Sequence, residues 1–155
     1  MADVHTPAVR SKNMRAIRHK DTTPELAVRK GLHSAGFRYR LHRKDLPGRP
    51  DIVLPKYRAV IFIHGCFWHG HGCHLFKVPQ TRPEFWIAKI NANKVRDIND
   101  ASMLRAAGWR ILTIWECALK GKKRLSFENL LEDIRSWLLY GGASAVIDSN
   151  GLTRN

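Results

Sequence analysis

The sequence predicts an α/β domain with a mixed central sheet flanked by helices. Amphipathic segments of helical spacing alternate along the chain with short apolar runs, the pattern of layered α/β folds. Two of those runs, Ala59–Ile63 and Arg110–Trp115, are nearly continuous, as in strands covered on both faces. The 155 residues, 44% apolar and 26% charged, are enough for one core without staples.

Taken in order, residues 1–10 show no apolar period and read as a loose tail. Ser11–Arg18 suits a short basic helix, with Met14 and Ile17 on one face. Thr22-Thr23-Pro24-Glu25 is a helix start, with a capping-box spacing and an early proline. That helix runs to about Ala35, burying Leu26, Val28 and Leu32, and stops at Gly36. Phe37–Leu41 alternates as a strand, Leu46–Pro50 is a turn, and Asp51–Leu54 and Arg58–His64 are two further strands. Gly65–Phe76 is a loop rich in Gly, His and Cys. Pro83–Ala107 is a long helix ended by Gly108, polar and basic on more than one face around Lys89–Lys94. Arg110–Trp115 is a fourth strand. Phe127, Leu130, Leu131, Ile134, Trp137 and Leu138 mark an amphipathic helix. Trp109, Trp115 and Trp137 sit in patterns that suit core or strand packing. From Gly141 the chain turns small and polar, and 141–155 reads as a second loose tail. The expected architecture is therefore one domain over 1–155, built on a four-strand mixed sheet.

Lys and Arg number 27 against 13 Asp and Glu, a net charge of +14. Such an excess favours a polyanionic partner, nucleic acid before an acidic membrane surface. No apolar stretch is long enough to span a membrane, and Met1–Arg10 lacks a signal-peptide core. The expected location is the cytoplasm, at the nucleoid. Three cysteines in such a chain suit metal ligation, a nucleophile or buried packing better than a disulfide framework.

Cys66, His71 and Cys73 form C-x4-H-x-C, and Cys117 follows the fourth strand. Three thiolates and one imidazole make a closed tetrahedral zinc site of the structural type, and this set uses every cysteine. His64, His69 and His74 compete for the imidazole position. A deaminase needs His-x-Glu followed by Pro-Cys-x-x-Cys, and neither occurs. Pro50-Asp51 at a strand start resembles the opening of the PD-(D/E)xK nuclease motif. The second strand, however, ends Phe62-Ile63-His64, without the second acid and the lysine.

The surroundings extend that likeness. Leu46-Pro-Gly-Arg-Pro-Asp51, Val60-Ile-Phe-Ile-His-Gly-Cys-Phe-Trp-His69, Leu75-Phe-Lys-Val-Pro79, Glu84-Phe-Trp86, Gly108-Trp-Arg110 and Trp115-Glu-Cys117-Ala-Leu resemble the very short patch repair DNA mismatch endonucleases. Ser11–Ile17 matches as well, so the resemblance spans roughly residues 10–148. It implies a restriction-endonuclease-like fold and an enzyme that nicks duplex DNA at T·G mismatches left by 5-methylcytosine deamination. By the same resemblance, Asp51 and the backbone carbonyl of Ile63 would hold a catalytic Mg²⁺, and His69 would be the general base. Glu25 and His64 would hold metal-bound waters or the substrate phosphate. Cys66, His71, Cys73 and Cys117 match the ligands of a structural Zn²⁺. Phe67, Trp68 and Trp86 match a wedge entering the base stack; Met14, Lys89 and Asn93 complete the expected DNA contacts. Gly70 and Gly72 depart from the family's more His-rich loop. A monomer, and a MutL-like repair partner, are further implications.

The chemistry agrees with the residue types. Mg²⁺ held by few protein ligands keeps waters and polarises a phosphate, and a neutral imidazole accepts a proton from water near neutral pH. This stands in for the missing lysine. The aromatic pair Phe67-Trp68 lies in a polar, glycine-containing loop that offers no core of its own, which favours a DNA-facing role. Two other readings remain at this level: a restriction-like nuclease without T·G preference, and a zinc-bearing DNA-binding module without catalysis.

Overall fold

The structure, a computed structural model, describes residues 22–154. The expected helix over Ser11–Arg18, with Met14, lies outside them. The first described helix, α1 (Thr23–Ser34), begins where Thr22 Oγ1 accepts from the Glu25 N–H at 3.4 Å. It buries Val28 and Leu32, as the spacing predicts. Leu26 is exposed instead, and Glu25 takes a buried position. A six-stranded sheet follows: β1 (Arg40–Leu41), β2 (Ile52–Leu54), β3 (Ala59–His64), β4 (Arg110–Trp115), β5 (Ser144–Asp148) and β6 (Gly151–Arg154), neighbours in chain order. A 3-10 turn, Pro55–Tyr57, joins β2 to β3. The long helix α2 (Pro83–Ala106) connects β3 to β4, a short α3 (Glu116–Leu119) follows β4, and α4 (Phe127–Tyr140) precedes β5. No described helix is long and apolar enough to cross a membrane.

β1–β2–β3 and β5–β6 pair antiparallel, whereas β3–β4 and β4–β5 pair parallel. α2 makes the crossover needed between β3 and β4, and α4 that between β4 and β5. Side chains alternate across the sheet. Ile52, Leu54, Ala59, Ile61, Leu112, Ile114, Ala145 and Ile147 face α1 and α4, and Trp137 is fully buried among them. Val53, Val60, Phe62 and Ile111 face the other way and meet Leu104 of α2. Three layers result, and Asp51 shares the α2 side of the sheet with Phe62, His64, Thr113 and Trp115.

Two expectations are corrected. The sheet has six strands, not four, and 144–154 is not a loose tail but the hairpin β5–β6. The small residues misled: Ala145 and Ile147 are buried against α4, and parallel pairing on β4 needs only modest side chains there. Phe37–Leu41 pairs only over Arg40–Leu41. Of the three tryptophans expected in core or strand packing, Trp137 is fully buried, Trp115 ends β4, and Trp109 packs against the cluster of Val60 and Leu104, the last two partly buried.

Candidate active site and metal centre

β1 and β2 pair through Leu41 and Ile52, and the ladder extends by one bond, His42 N–H to the Asp51 carbonyl at 3.3 Å. His42, at φ +48, thereby lies beside Asp51. Its Nδ1 is 4.0 Å from Asp51 Oδ1 and its Nε2 is 3.3 Å from Glu25 Oε2. Glu25 reaches this point from the first turn of α1 and is also bonded to Arg29. Asp51 Oδ2 accepts from the Ile63 N–H at 2.7 Å. Within a strand the N–H and C=O of one residue point to the same side, so the Ile63 carbonyl faces the Asp51 edge. Burial pushes Asp51 up to about 7; the Ile63 N–H pulls the other way, and the Glu25 carboxyl raises it further. Two carboxyl groups and an imidazole within 4.8 Å of one another form a set that can hold a cation.

The second group stands on the same sheet face. His64 ends β3, and its ring stacks on His69 with centroids 3.8 Å apart and planes 3° from parallel. Burial pushes His64 down to about 3, with repulsion from His69 adding to it, so this ring is neutral near pH 7. His69 Nδ1 meets Asp97 Oδ2 of α2 at 2.5 Å. A carboxylate at Nδ1 places the proton there and leaves Nε2 as the basic nitrogen. The loop that carries His69 closes through main-chain bonds, His69 N–H to Gly65 O and His71 N–H to Cys66 O. Gly70 has φ +65, and a Cβ there would stand 2.3 Å from Lys94 Cε and 2.7 Å from Ile90 Cγ2. A side chain at this position would push the loop off α2.

Cys66, His71, Cys73 and Cys117 converge with one ligand atom of each within 4.8 Å of the others. Cys66 and Cys117 are buried. The Cys73 sulfur accepts from the Leu75 main-chain N–H at 3.4 Å. Burial raises both Cys66 and Cys117 thiols, so uncharged thiols stand here until a cation compensates them. The donor set and its convergence fit a thiophilic metal ion. His74, the rival imidazole, is exposed, while His64 and His69 belong to the Asp97 group.

Phe67, Trp68 and Trp86 pack edge to face, with centroids 5.1, 5.6 and 5.8 Å apart, and all three are half-buried. Phe85, unforeseen from sequence, joins them at 5.1 Å from Trp86 and is 44% exposed. Asn93 donates to the Trp68 carbonyl at 2.8 Å, which fixes the loop against α2. Lys89 is exposed on the same helix. A cleft of about 1420 Å³ contains Asp51, Ile63, His64 and His69, and Lys44, Arg49, Lys94, Arg96 and Arg105 also line it. The cations outnumber the lining acids Asp51, Asp97 and Asp100. Asp51, Ile63, His64 and His69 of the sequence prediction therefore line one cleft, Glu25 reaches the Asp51 end of it from α1 through His42, and the four metal-type residues form a separate cluster.

Sequence reasoning missed His42 and Asp97. His42 carries no local signal, since only the β1–β2 register brings it to Asp51. Asp97 did carry one. Ile90, Asn93, Asp97, Ala101 and Leu104 follow helical spacing, so two polar residues occupy the inward stripe of α2.

Residues 2–75 match the family model described as DNA mismatch endonuclease Vsr. The chain is 53% identical over 152 residues to the DNA mismatch endonuclease Vsr of Escherichia coli K12, covering 98% of this chain and 97% of that protein. It is 48% identical to the type II nicking enzyme V.XorIIP of Xanthomonas oryzae pv. oryzae, over 85% of this chain and 98% of the other. With V.NmeAIP of Neisseria meningitidis serogroup A it shares 47% identity over 79% and 87% of the two chains. An identity of 53% over nearly the whole length of both chains makes the chain a member of the Vsr DNA mismatch endonuclease family.

Proposed function

We propose that this strand-nicking DNA endonuclease is Mg²⁺-dependent and acts at T·G mismatches that arise from 5-methylcytosine deamination, starting very short patch repair. The observation that carries the reading is the pairing of Asp51 with the Ile63 strand edge next to a histidine oriented by a carboxylate, in a cation-lined cleft. Asp51 and the Ile63 carbonyl would hold the Mg²⁺, which when bound neutralises charge on the phosphate and on the leaving 3′ oxygen. His69 takes the proton of the attacking water on Nε2 while Asp97 steadies the ring. Glu25 and the neutral His64 hold waters or a phosphate oxygen by hydrogen bonds. The domain is a single restriction-endonuclease-like unit, and the Cys₃His set binds a structural Zn²⁺ that stiffens the His69 loop from both sides, at Cys66 and His71.

Phe67, Trp68 and Trp86 enter the stack, and Lys89, Asn93 and Met14 contact the DNA around them. Asn93 does so from a position already engaged with the Trp68 carbonyl, so its part is to set the wedge. The protein acts as a monomer at the nucleoid, with a MutL-like protein as a candidate partner. The type II nicking relatives support a second reading, nicking without T·G preference. End-labelled T·G duplex, matched duplex and single strand, each with Mg²⁺ or EDTA, separate the two. Nicking of the T·G duplex alone, only with Mg²⁺, is expected; equal cleavage of the matched duplex establishes the second reading.

Trp68→Ala is expected to leave the rate on its best substrate intact within a small factor, yet to shrink T·G over T·A discrimination by about tenfold, the worth of one stacked ring. Single-turnover nicking on both duplexes is the measurement. Unchanged discrimination removes Trp68 from the wedge.

A further inference from the structure

The turn between β5 and β6 lies against the Cys₃His set. β4 and β5 run parallel with Ile114 beside Ile147, so both strands end at one edge of the sheet. Trp115 ends β4 there and Cys117 follows in α3; Asp148 ends β5 there and Ser149 follows it. The His71 ring lies flat on Trp115, with centroids 4.3 Å apart and planes at 12°. Its two nitrogens have different partners. Nδ1 is 3.7 Å from Cys117 Sγ, whereas Nε2 is 3.6 Å from Asp148 Oδ2. The second distance is within ion-pair reach and slightly longer than a direct hydrogen bond. Asp148 is itself oriented, since its Oδ1 accepts from the Asn150 N–H at 2.8 Å across the turn.

We propose that Asp148 is a positioning residue of the metal centre, supplied by the C-terminal hairpin, and that it orients His71. The inference rests on the metal reading above. A carboxylate at Nε2 draws the imidazole proton to that nitrogen and leaves the Nδ1 lone pair facing the sulfurs, where an ion would sit. The hairpin thus has a part beyond closing the sheet. It holds one end of the loop whose other residues include His69.

The test compares the full chain with Asp148→Asn and, as a hairpin control, Asn150→Ala. Zn²⁺ affinity is read by chelator competition, and the Co²⁺-substituted proteins by their visible absorption. Asp148→Asn keeps an oxygen for the turn but loses the charge facing His71. It is expected to weaken Zn²⁺ by about 10–100-fold and to alter the Co²⁺ bands. Asn150→Ala is expected to match the unsubstituted chain. Unchanged affinity and unchanged Co²⁺ bands in Asp148→Asn overturn the inference. So does an equal loss in Asn150→Ala, which would make the effect one of hairpin integrity. A failure of the metal reading itself shows elsewhere, as an unsubstituted chain that binds no ion.

Discussion

Asp51→Ala is expected to abolish nicking of a T·G duplex by the Mg²⁺-loaded protein while leaving binding to that duplex largely intact. The carboxylate is the one acidic group that the Ile63 edge holds by hydrogen bond, at 2.7 Å, so no neighbour replaces it as an ion ligand in the same place. Binding survives because Lys44, Arg49, Lys94, Arg96 and Arg105 of the cleft are untouched, and removing an anion does not weaken phosphate contacts. Stability is expected to move the opposite way. Burial and Glu25 push Asp51 up to about 7, so the folded chain holds a proton that the unfolded chain loses near pH 4. In metal-free protein this penalty is absent below the unfolded value, grows as pH rises between the two, and is complete above pH 7. Metal-free Asp51→Asn should therefore melt above the unsubstituted chain at pH 8, with the difference vanishing towards pH 4. Paired melting curves at the two pH values, with gel-shift and single-turnover assays, measure all three effects. Normal nicking by Asp51→Ala removes the residue from the reaction.

The parts of this molecule that were legible in the sequence are those governed by short-range pattern. The capped start of α1 and its Val28–Leu32 spacing, the period of α4, the apolar runs of β3 and β4 and the glycine stops appear where residue spacing puts them, whereas Leu26 yields its expected buried place to Glu25. The metal-type cluster was legible because its ligands bracket one tight loop and one strand end, and a parallel β3–β4 pair brings those two places together. The hairpin β5–β6 was not. Ser144–Asp148 carries little bulk, and its burial comes from pairing with β4, a contact 33 residues distant (Ile111 with Ser144) that no local period records. Asn150-Gly151, with Gly151 at φ +101, was the turn signal that composition obscured.

The candidate site divides along the same line. Asp51 and His69 stand out because each sits in a motif, at a strand start and inside the cysteine loop. Their partners do not. His42 and Asp97 act across strand register and helix face, and only the fold brings His42 to Glu25 or Asp97 to His69. Trp115 lies in its strand as expected, and the alternation of β4 turns it to the cleft side, where His71 stacks on it. Local sequence indicates which residues have the chemistry, and topology decides which second residue tunes each of them.

The largest effect after Asp51 is expected at His69. His69→Ala should lower the single-turnover nicking rate by roughly the 10²–10⁴ that a positioned general base contributes, with binding of the T·G duplex unchanged. The ring accepts the proton of the attacking water on Nε2, and the 2.5 Å contact of Nδ1 with Asp97 places the neutral ring's own proton on Nδ1 and fixes its orientation. Asp97→Asn keeps the side chain's size and removes the charge, so its rate should fall between those of the unsubstituted chain and His69→Ala. The rings of His64 and His69 stack at 3.8 Å, so deletion of His69 leaves a planar gap bounded by His64 and the cleft. Free imidazole added to His69→Ala is expected to enter that gap and restore part of the rate. The same addition to Asp51→Ala should restore none, because a base cannot replace a metal ligand. Metal analysis belongs beside the kinetics, since His69 lies between Cys66 and His71 and a disturbed loop would release the ion. A His69→Ala protein that keeps its metal and its DNA affinity yet nicks at the normal rate excludes the histidine as base. Full metal retention, intact binding and imidazole rescue together assign the proton transfer to this ring.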